Sequence, residues 1–523
     1  MWRRGTEQPR ASDSLFSRIA AAAVPGRPAV VTPDGALSHA DMLERARRLA
    51  SRLTARRSPV VVYGQKQPAV LQGFLAALRL GRAYVPIDAS LPPRRVAHMM
   101  AAVGAEDAVL AEEPPPPLAH EIAARGIAPI QLDPLGACLT RSPGTSGGDY
   151  SPMPGPETAA YILFTSGTTG VPKGVAVSHA ALMHFTSWLL ASHPFVPGGE
   201  TFLNQAPLSF DLSVMDVYGA FLTGGTLFVI TREEIADPRR LFRRLHGAPL
   251  TTWVSTPSFA RFCLAEACFT RGMLPALRRF LFCGETLSSA VVRELLARFP
   301  GVEVWNMYGP TETTVAVTAI RIGRELAASE DPLPVGRAAP GMEIRIVEVD
   351  APFRKVPDGS PGEIVIAGPQ VARGYLRDAA AESRDGAFFT LPDGRLAYRT
   401  GDLGWIDRHG SLFCAGRLDH QIKLRGYRIE IEEIEAHLRA LSGVADAAVV
   451  PIERDGQPDH LAALVVATPA LPSGGRALTN YVRAALADSL PEYALPRIVR
   501  SAPTLPLTAQ GKLDRRALRG IAG

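Results

Sequence analysis

The stretch that decides the reading is "AAYILFTSGTTGVPKG", residues 159–174. An apolar run ending at Phe164 gives way to a loop of hydroxyls and glycines: Thr165, Ser166, Gly167, Thr168, Thr169 and Gly170. Lys173 follows, in Pro-Lys-Gly. Such a loop after a strand offers backbone N–H groups to phosphate oxygens without side-chain obstruction. The hydroxyls add donors and the lysine adds charge. A P-loop would end in Gly-Lys-Ser or Gly-Lys-Thr, so this is a phosphate loop of another kind, or else an ordinary turn.

Working outward, "PVVVYG" (59–64) and "RAYVPID" (82–88) are short strands between helical patterns, and residues 200–320 repeat that rhythm in "GGTLFVI", "LTTWVSTPS", "RRFLFCGE" and "GVEVWNMYG". Strands alternating with helices argue for a mainly parallel sheet. Ser258, Cys283 and Asn306 fall near the strand ends, where open α/β sheets bind ligands. Residues 335–416 change to short strands with glycine turns, a β-rich subdomain. Beyond them, "EIEEIEAHLRAL" reads as a helix and "VADAAVVPI" and "LAALVVA" as strands. The expected fold is therefore α/β. A large N-terminal domain (1–418) of mixed, mainly parallel sheets carries the β-rich subdomain, and a small α+β C-terminal domain spans 419–523.

A chain of 523 residues exceeds one ordinary core. Its apolar fraction of 46% and charged fraction of 20% are those of a globular enzyme. A net charge of +5, spread along the chain, gives no argument for nucleic acid. No apolar run suits a membrane span, and "MWRRGTEQPRASDSLF" lacks the apolar core of a secretion signal. Cys138, Cys263, Cys268, Cys283 and Cys414 form no Cys-x-x-Cys pair, as expected of reduced thiols in a cytoplasm. Of 56 basic residues only Lys66, Lys173, Lys355, Lys423 and Lys512 are lysine. A chain that uses arginine by default should keep lysine where a compact ammonium is needed.

"YILFTSGTTGVPKGV" resembles the signature of adenylate-forming enzymes: acyl-CoA synthetases, luciferases and adenylation domains of non-ribosomal peptide synthesis. The resemblance runs nearly the whole chain, through "GRAYVPID", "FDLSVMDVYG", "NMYGPTE", "GEIVIAG", "YRTGDLGW", "GRLDHQIKLRGYRIE" and "PLTAQGKLDR", in order. "FDLSVMDVY", "STPSFA", "FLFCGE" and "YGPTETTVAVT" look most like the D-alanine–D-alanyl carrier protein ligases within that family.

The resemblance implies ATP and Mg²⁺, a small amino acid as substrate, and a separate acyl or peptidyl carrier protein acting in trans. It implies that Lys173 and the hydroxyl loop hold the β- and γ-phosphates, Glu312 the Mg²⁺ and Thr311 the α-phosphate. Carboxylate-plus-phosphate ligation is the usual way magnesium is held. Asn306 and Tyr308 would read and stack the adenine, with Gly284, Glu285 and Gly309 beside it. Asp402 would accept the ribose hydroxyls near Arg417. Lys512 would bridge substrate carboxylate and α-phosphate, Lys423 would serve thioester formation, and Asp419 would be the hinge of a mobile lid.

Asp211 follows Phe210 where amino-acid-activating relatives place a carboxylate for the α-ammonium. It also begins a helix, so an N-cap is its competing role. The remaining pocket would be Leu212, Met215, Ser258, Leu281, Cys283, Met307 and Val315, small enough for a methyl side chain. Met307 stands where the D-alanine ligases usually have threonine, and Cys414 where relatives often carry tyrosine. D-alanine, L-alanine, glycine and L-serine all stay open as substrates, as does a natural-product role, and an acyl-CoA synthetase is the more distant alternative.

Overall fold

The computed structural model describes residues 14–54, 57–139, 155–167, 172–329, 332–349, 351–357, 359–376, 386–454, 457–468, 471–472, 475–506 and 513–522. Thr168, Thr169, Gly170 and Lys512 lie outside the described residues.

Two large sheets follow from the apolar runs. "VVVY" (Val60–Tyr63) and "TWVS" (Thr252–Ser255) are buried at every position, as strands covered on both faces by helices must be. The first sheet runs Ala128–Gln131, Asp107–Leu110, Val60–Tyr63, Tyr84–Ile87, Ala159–Thr165 and Lys173–Ser178. All its pairings are parallel except the last. The second has nine strands, parallel through Pro28–Thr32, Thr226–Val229, Thr201–Asn204, Thr252–Ser255, Arg279–Phe282 and Glu303–Tyr308, with antiparallel strands at both edges. A third sheet, between Glu343 and Arg417, is wholly antiparallel, matching the glycine-turn pattern of that segment.

After Asp419 come a hairpin (Ile422–Leu424 with Tyr427–Ile429), the helix Ile431–Arg439 and a three-stranded sheet. This segment closes its own apolar cluster, among it Leu424, Ile434, Val449, Leu461 and Val482. Among the described residues no helix is long and apolar enough to cross a membrane.

Lys173–Ser178 is a strand paired back on Ala159–Thr165, and a helix starts at His179. The β-branched valines of "KGVAVS" suit a strand, and Ser178 then caps the helix through the Ala181 N–H. Two local expectations change. Asn306 sits within the strand Glu303–Tyr308 rather than at its end. Ser258 lies in the first turn of the helix Pro257–Leu264.

Candidate active site

Parallel strands end together, and two ends of the nine-stranded sheet meet at one cleft. The strand Arg279–Phe282 delivers Cys283 and Gly284, and Glu303–Tyr308 delivers Gly309 and Thr311. Opposite them stand Thr165 and Ser166 from the first sheet, Asp402 and Arg417 from the third, and Lys423, Tyr427 and Arg428 from the hairpin. The cleft opens to solvent and, with the solvent space at its mouth, takes in about 1420 Å³.

Gly309 is required where it stands, since a Cβ there would lie 2.7 Å from Ala316 Cα. The chain then makes the single turn Thr311–Thr313 and passes through Thr314 and Val315 at φ 61° and 69°. A β-branched residue in the left-handed region is strained, at a cost of about 1–3 kcal/mol. The strain turns the Val315 carbonyl to the Cys283 thiol at 3.5 Å while Val315 lines the cleft. Burial pushes that thiol up to about 12, so Cys283 is a neutral wall and not a nucleophile.

Asp211 occupies the N-cap position of the helix Leu212–Leu222, yet its side chain makes no capping bond. Its Oδ2 instead accepts from Thr311 Oγ1 at 2.7 Å. Burial raises its pKa, and the Thr311 hydroxyl offsets that only in part. A desolvated carboxylate facing a cleft calls for a cationic ligand.

Asp402 accepts from Tyr308 Oη on Oδ2 and from Arg417 Nη1 on Oδ1, each at 2.6 Å. Arg417 also donates to both oxygens of Asp419, at 2.6 Å each. One guanidinium thus ties the cleft carboxylate to the residue that precedes the hairpin. Burial opposes the Arg417 charge, and the two aspartates overcome it and raise its pKa.

The hairpin reaches into the cleft on its Arg425-Gly426 turn, with φ of 52° and 86°. The paired positive φ values are those of a tight two-residue hairpin. Gly426 N–H donates to Glu285 Oε1 at 2.6 Å, and a Cβ on Gly426 would lie 2.8 Å from Thr256 Cγ2. Glu285 also accepts from Ser258 N–H at 2.9 Å. Tyr427 stacks on Tyr493 at 3.9 Å and meets Phe210 edge-on at 5.0 Å. Arg95 pairs with Glu433 at 2.6 Å, both nearly inaccessible.

Arg428 donates from Nη1 to both oxygens of Glu312, at 2.7 and 3.0 Å. Tyr375 Oη donates to Glu312 Oε1 at 2.8 Å, and Lys173 Nζ lies 5.3 Å from the centre of the Tyr375 ring. Burial alone would raise the fully inaccessible Glu312, but the Arg428 charge and these donors hold it below its ordinary value.

The structure thus gathers Asp211, Leu212, Cys283, Gly284, Gly309, Thr311, Val315, Asp402, Arg417, Lys423, Thr165 and Ser166 on one cleft. Met215, Leu281 and Met307 are not on that cleft's wall; they are 0%, 0% and 2% exposed and pack in the core. Ser258 lines a smaller cavity with Glu285 and Lys423. The Asn306 amide is spent on the Pro334 carbonyl at 2.8 Å and is not on the cleft wall. The Tyr308 ring is buried, engaged through its hydroxyl.

Sequence reading passed over Arg428, Tyr427 and Tyr375. The first two stood in the quoted "GRLDHQIKLRGYRIE", and Tyr375 in "ARGYL" carried only a glycine-aromatic pair as its signal.

The AMP-binding enzyme family matches residues 17–376, and the AMP-binding enzyme C-terminal domain matches 433–512. The chain belongs to the AMP-binding enzyme family. A D-alanine–D-alanyl carrier protein ligase of Bacillus velezensis is 40% identical over 491 residues, covering 93% of this chain and 94% of the relative. One of Bacillus cereus is 40% identical over 502 residues, covering 95% and 97%. Among solved structures, a holo non-ribosomal peptide synthetase protein containing adenylation and PCP domains, bound to a vinylsulfonamide inhibitor, superposes with a TM-score of 0.80 at 28% identity. That match covers 97% of this chain and 84% of the other. The Vibrio cholerae adenylation domain AlmE shares the fold, with a TM-score of 0.81 at 23% identity over 100% of this chain and 99% of the other. The α/β architecture expected of an AMP-binding enzyme is the one the chain has.

Proposed function

We propose that this AMP-binding enzyme activates D-alanine with ATP to D-alanyl-AMP and transfers the alanyl group to the phosphopantetheine thiol of a separate carrier protein. The observation that carries the reading is Asp211, a desolvated carboxylate oriented by Thr311 at the end of the cleft lined by Cys283 and Val315. An amino acid supplies the ammonium that such a group lacks, and a plain carboxylic acid does not. The likeness to D-alanine ligases over nearly the whole of both chains supports D-alanine among the small amino acids.

In the first half-reaction an alanine carboxylate oxygen bonds to the α-phosphorus and pyrophosphate leaves. Asp211 holds the ammonium and Thr311 fixes Asp211. Asp402 receives the ribose hydroxyls, and Ser166 with Lys173 holds the β- and γ-phosphates. Lys512 neutralises charge between carboxylate and α-phosphate; such electrostatic stabilisation is worth roughly 10²–10³ in rate. In the second, the carrier thiolate sulfur bonds to the acyl carbon and AMP leaves, with Lys423 at the cleft. Residues 419–523 act as a lid turning about Asp419 between the two steps.

Glu312, an inaccessible carboxylate kept ionised by Arg428 and Tyr375, is a hard oxygen donor that would hold Mg²⁺. Among the described residues no group of three or more His, Cys, Asp or Glu could cage a metal, and magnesium at nucleotides is held in this sparse way. When bound it would offset phosphate charge. A cytoplasmic location goes with these substrates.

The test is amino-acid-dependent ATP–pyrophosphate exchange across D-alanine, L-alanine, glycine and L-serine, followed by loading of a phosphopantetheinylated carrier. D-alanine should give the highest kcat/KM. Turnover with free CoA and short carboxylic acids but no amino acid would overturn the reading.

A further inference from the structure

The wall of the cleft at Val315 is made by a backbone that does not hold its shape unaided. Thr314 and Val315 both sit at positive φ, 61° and 69°. Ala316 N–H donates to the Thr314 carbonyl at 2.8 Å. A bond between residues two apart, around a positive φ, is the γ-turn of the rare and strained hand. A β-branched side chain at its centre adds to the cost. Such strain persists only where the surroundings over-determine it.

Those surroundings are residues 368–372, which follow the strand Gly362–Ala367 of the third sheet. Ala372 N–H donates to the Glu312 carbonyl at 2.8 Å, and the Gln370 carbonyl accepts from the Thr314 hydroxyl at 2.7 Å. Gln370 is itself fixed on two further sides. Its N–H donates to Met342 Sδ at 3.4 Å, and its amide nitrogen shares a hydrogen bond with His184 Nδ1 at 3.0 Å. Thr314 and Gln370 are both 0% exposed. Neither lines the cleft, whereas Val315 does.

We infer that Thr314 and Gln370 are positioning residues that set amino-acid size selectivity, by holding Val315 against the space for the substrate side chain. This rests on the ligase reading above and adds which buried residues keep its substrate small. Without the Thr314 hydroxyl, the Gln370 carbonyl loses a donor where water does not reach, a loss that costs more than the bond itself contributes. The turn also loses a bond that opposes its strain. Its relaxation should carry Val315 away from Cys283, whose thiol donates to the Val315 carbonyl at 3.5 Å, and admit one more methylene. A pocket discriminates against one extra methylene by about 10–200-fold, and that is the range open to loss.

The test is ATP–pyrophosphate exchange by the full chain with D-alanine and D-2-aminobutyrate, which differ by one methylene, read as the ratio of their kcat/KM values. Thr314→Val removes the hydroxyl and keeps the branched shape. The ratio should fall about fivefold or more, the equivalent of one net hydrogen bond. Thr314→Ser keeps the hydroxyl and should retain most of the wild-type ratio. Gln370→Met keeps the volume but gives up the His184 bond, and should lower the ratio too. Val315→Ala removes the wall directly and should lower it most. In that background Thr314→Val should change the ratio no further, since residues acting through one another are not additive.

Both substrates slowed alike in Thr314→Val, with a lowered thermal midpoint and an unchanged ratio, would make Thr314 purely structural and overturn the inference. So would additive effects in the double variant. A wild-type ratio in Val315→Ala would overturn it as well, and that arm stands even where Thr314→Val does not fold. D-alanine-dependent exchange by the wild type separates the two claims. Its absence refutes the ligase reading, and its presence beside an insensitive ratio refutes only the role of Thr314 and Gln370.

Discussion

Asp211→Asn removes one charge and little else. The asparagine carbonyl can still accept the Thr311 hydroxyl now 2.7 Å from Oδ2, so the turn at Thr311 keeps its anchor and the side-chain volume is nearly unchanged. What is lost is the partner proposed for the substrate's ammonium. Removing one member of a buried pair costs about 3–5 kcal/mol. At about 1.4 kcal/mol per factor of ten, kcat/KM for D-alanine should fall about 10²–10⁴-fold. Propionate isolates the cause, because it offers the same carboxylate and methyl group with no ammonium. Its weak ATP–pyrophosphate exchange should be unchanged or improved in the variant.

A pH arm adds an independent reading. Burial holds the Asp211 carboxyl above its ordinary value of 3.8, so acid removes the charge sooner than for an exposed aspartate. In the wild type kcat/KM for D-alanine should drop as pH falls through that raised pKa, and Asp211→Asn should lack this limb. Equal losses for alanine and propionate would refute the reasoning, since Asp211 would then be supporting the cleft's shape. Undiminished alanine activity would place the ammonium elsewhere.

Three further outcomes follow from the same geometry. Gly426→Ala puts a Cβ 2.8 Å from Thr256 Cγ2 at a residue with φ 86°, a strain of about 1–3 kcal/mol. Single-turnover carrier loading should slow more than ATP–pyrophosphate exchange, and equal slowing would dissociate the hairpin from the second step. Lys512→Ala should cut ATP–pyrophosphate exchange about 10²–10³-fold, while Lys423→Ala should chiefly impair loading; identical profiles would reject that division. Burial pushes Glu430 from 4.5 up to about 7, with Arg428 pulling the other way. The folded state then binds more protons than the unfolded one across that window, so stability falls as pH rises through it. Glu430→Gln should flatten the pH dependence of the thermal midpoint, and a profile parallel to the wild type would remove Glu430 from the account.

The fold was legible because its central parallel strands are short runs rich in apolar residues, and its glycine turns mark the antiparallel segment. The cleft was legible where it is lined by residue types that stand out locally. Asp211 after Phe210, the hydroxyl loop, and lysines in an arginine-rich chain all stood out, and Asp211, Thr165, Ser166 and Lys423 do meet on one cleft. Reading position by position failed where burial decided the outcome. Met215, Leu281 and Met307 carry side chains that could line a pocket as readily as fill a core, and only the layers around their strands put them inside. The Asn306 amide turns to a carbonyl 28 residues away, a pairing that nothing local signals.

By itself, then, the sequence determined the order of strands and helices, the glycine-and-hydroxyl loop after the strand Ala159–Thr165 and the carboxylate at Asp211. These depend on residue type and short spacing. Tertiary structure alone decided that Arg428 reaches Glu312 across 116 residues of chain, that Arg417 joins Asp402 to Asp419, and that Asp211 turns from its helix to Thr311. An arginine in an arginine-rich chain has no local mark of its partner. The pairing exists because a buried carboxylate must meet a cation, and only the folded chain determines which one is within reach.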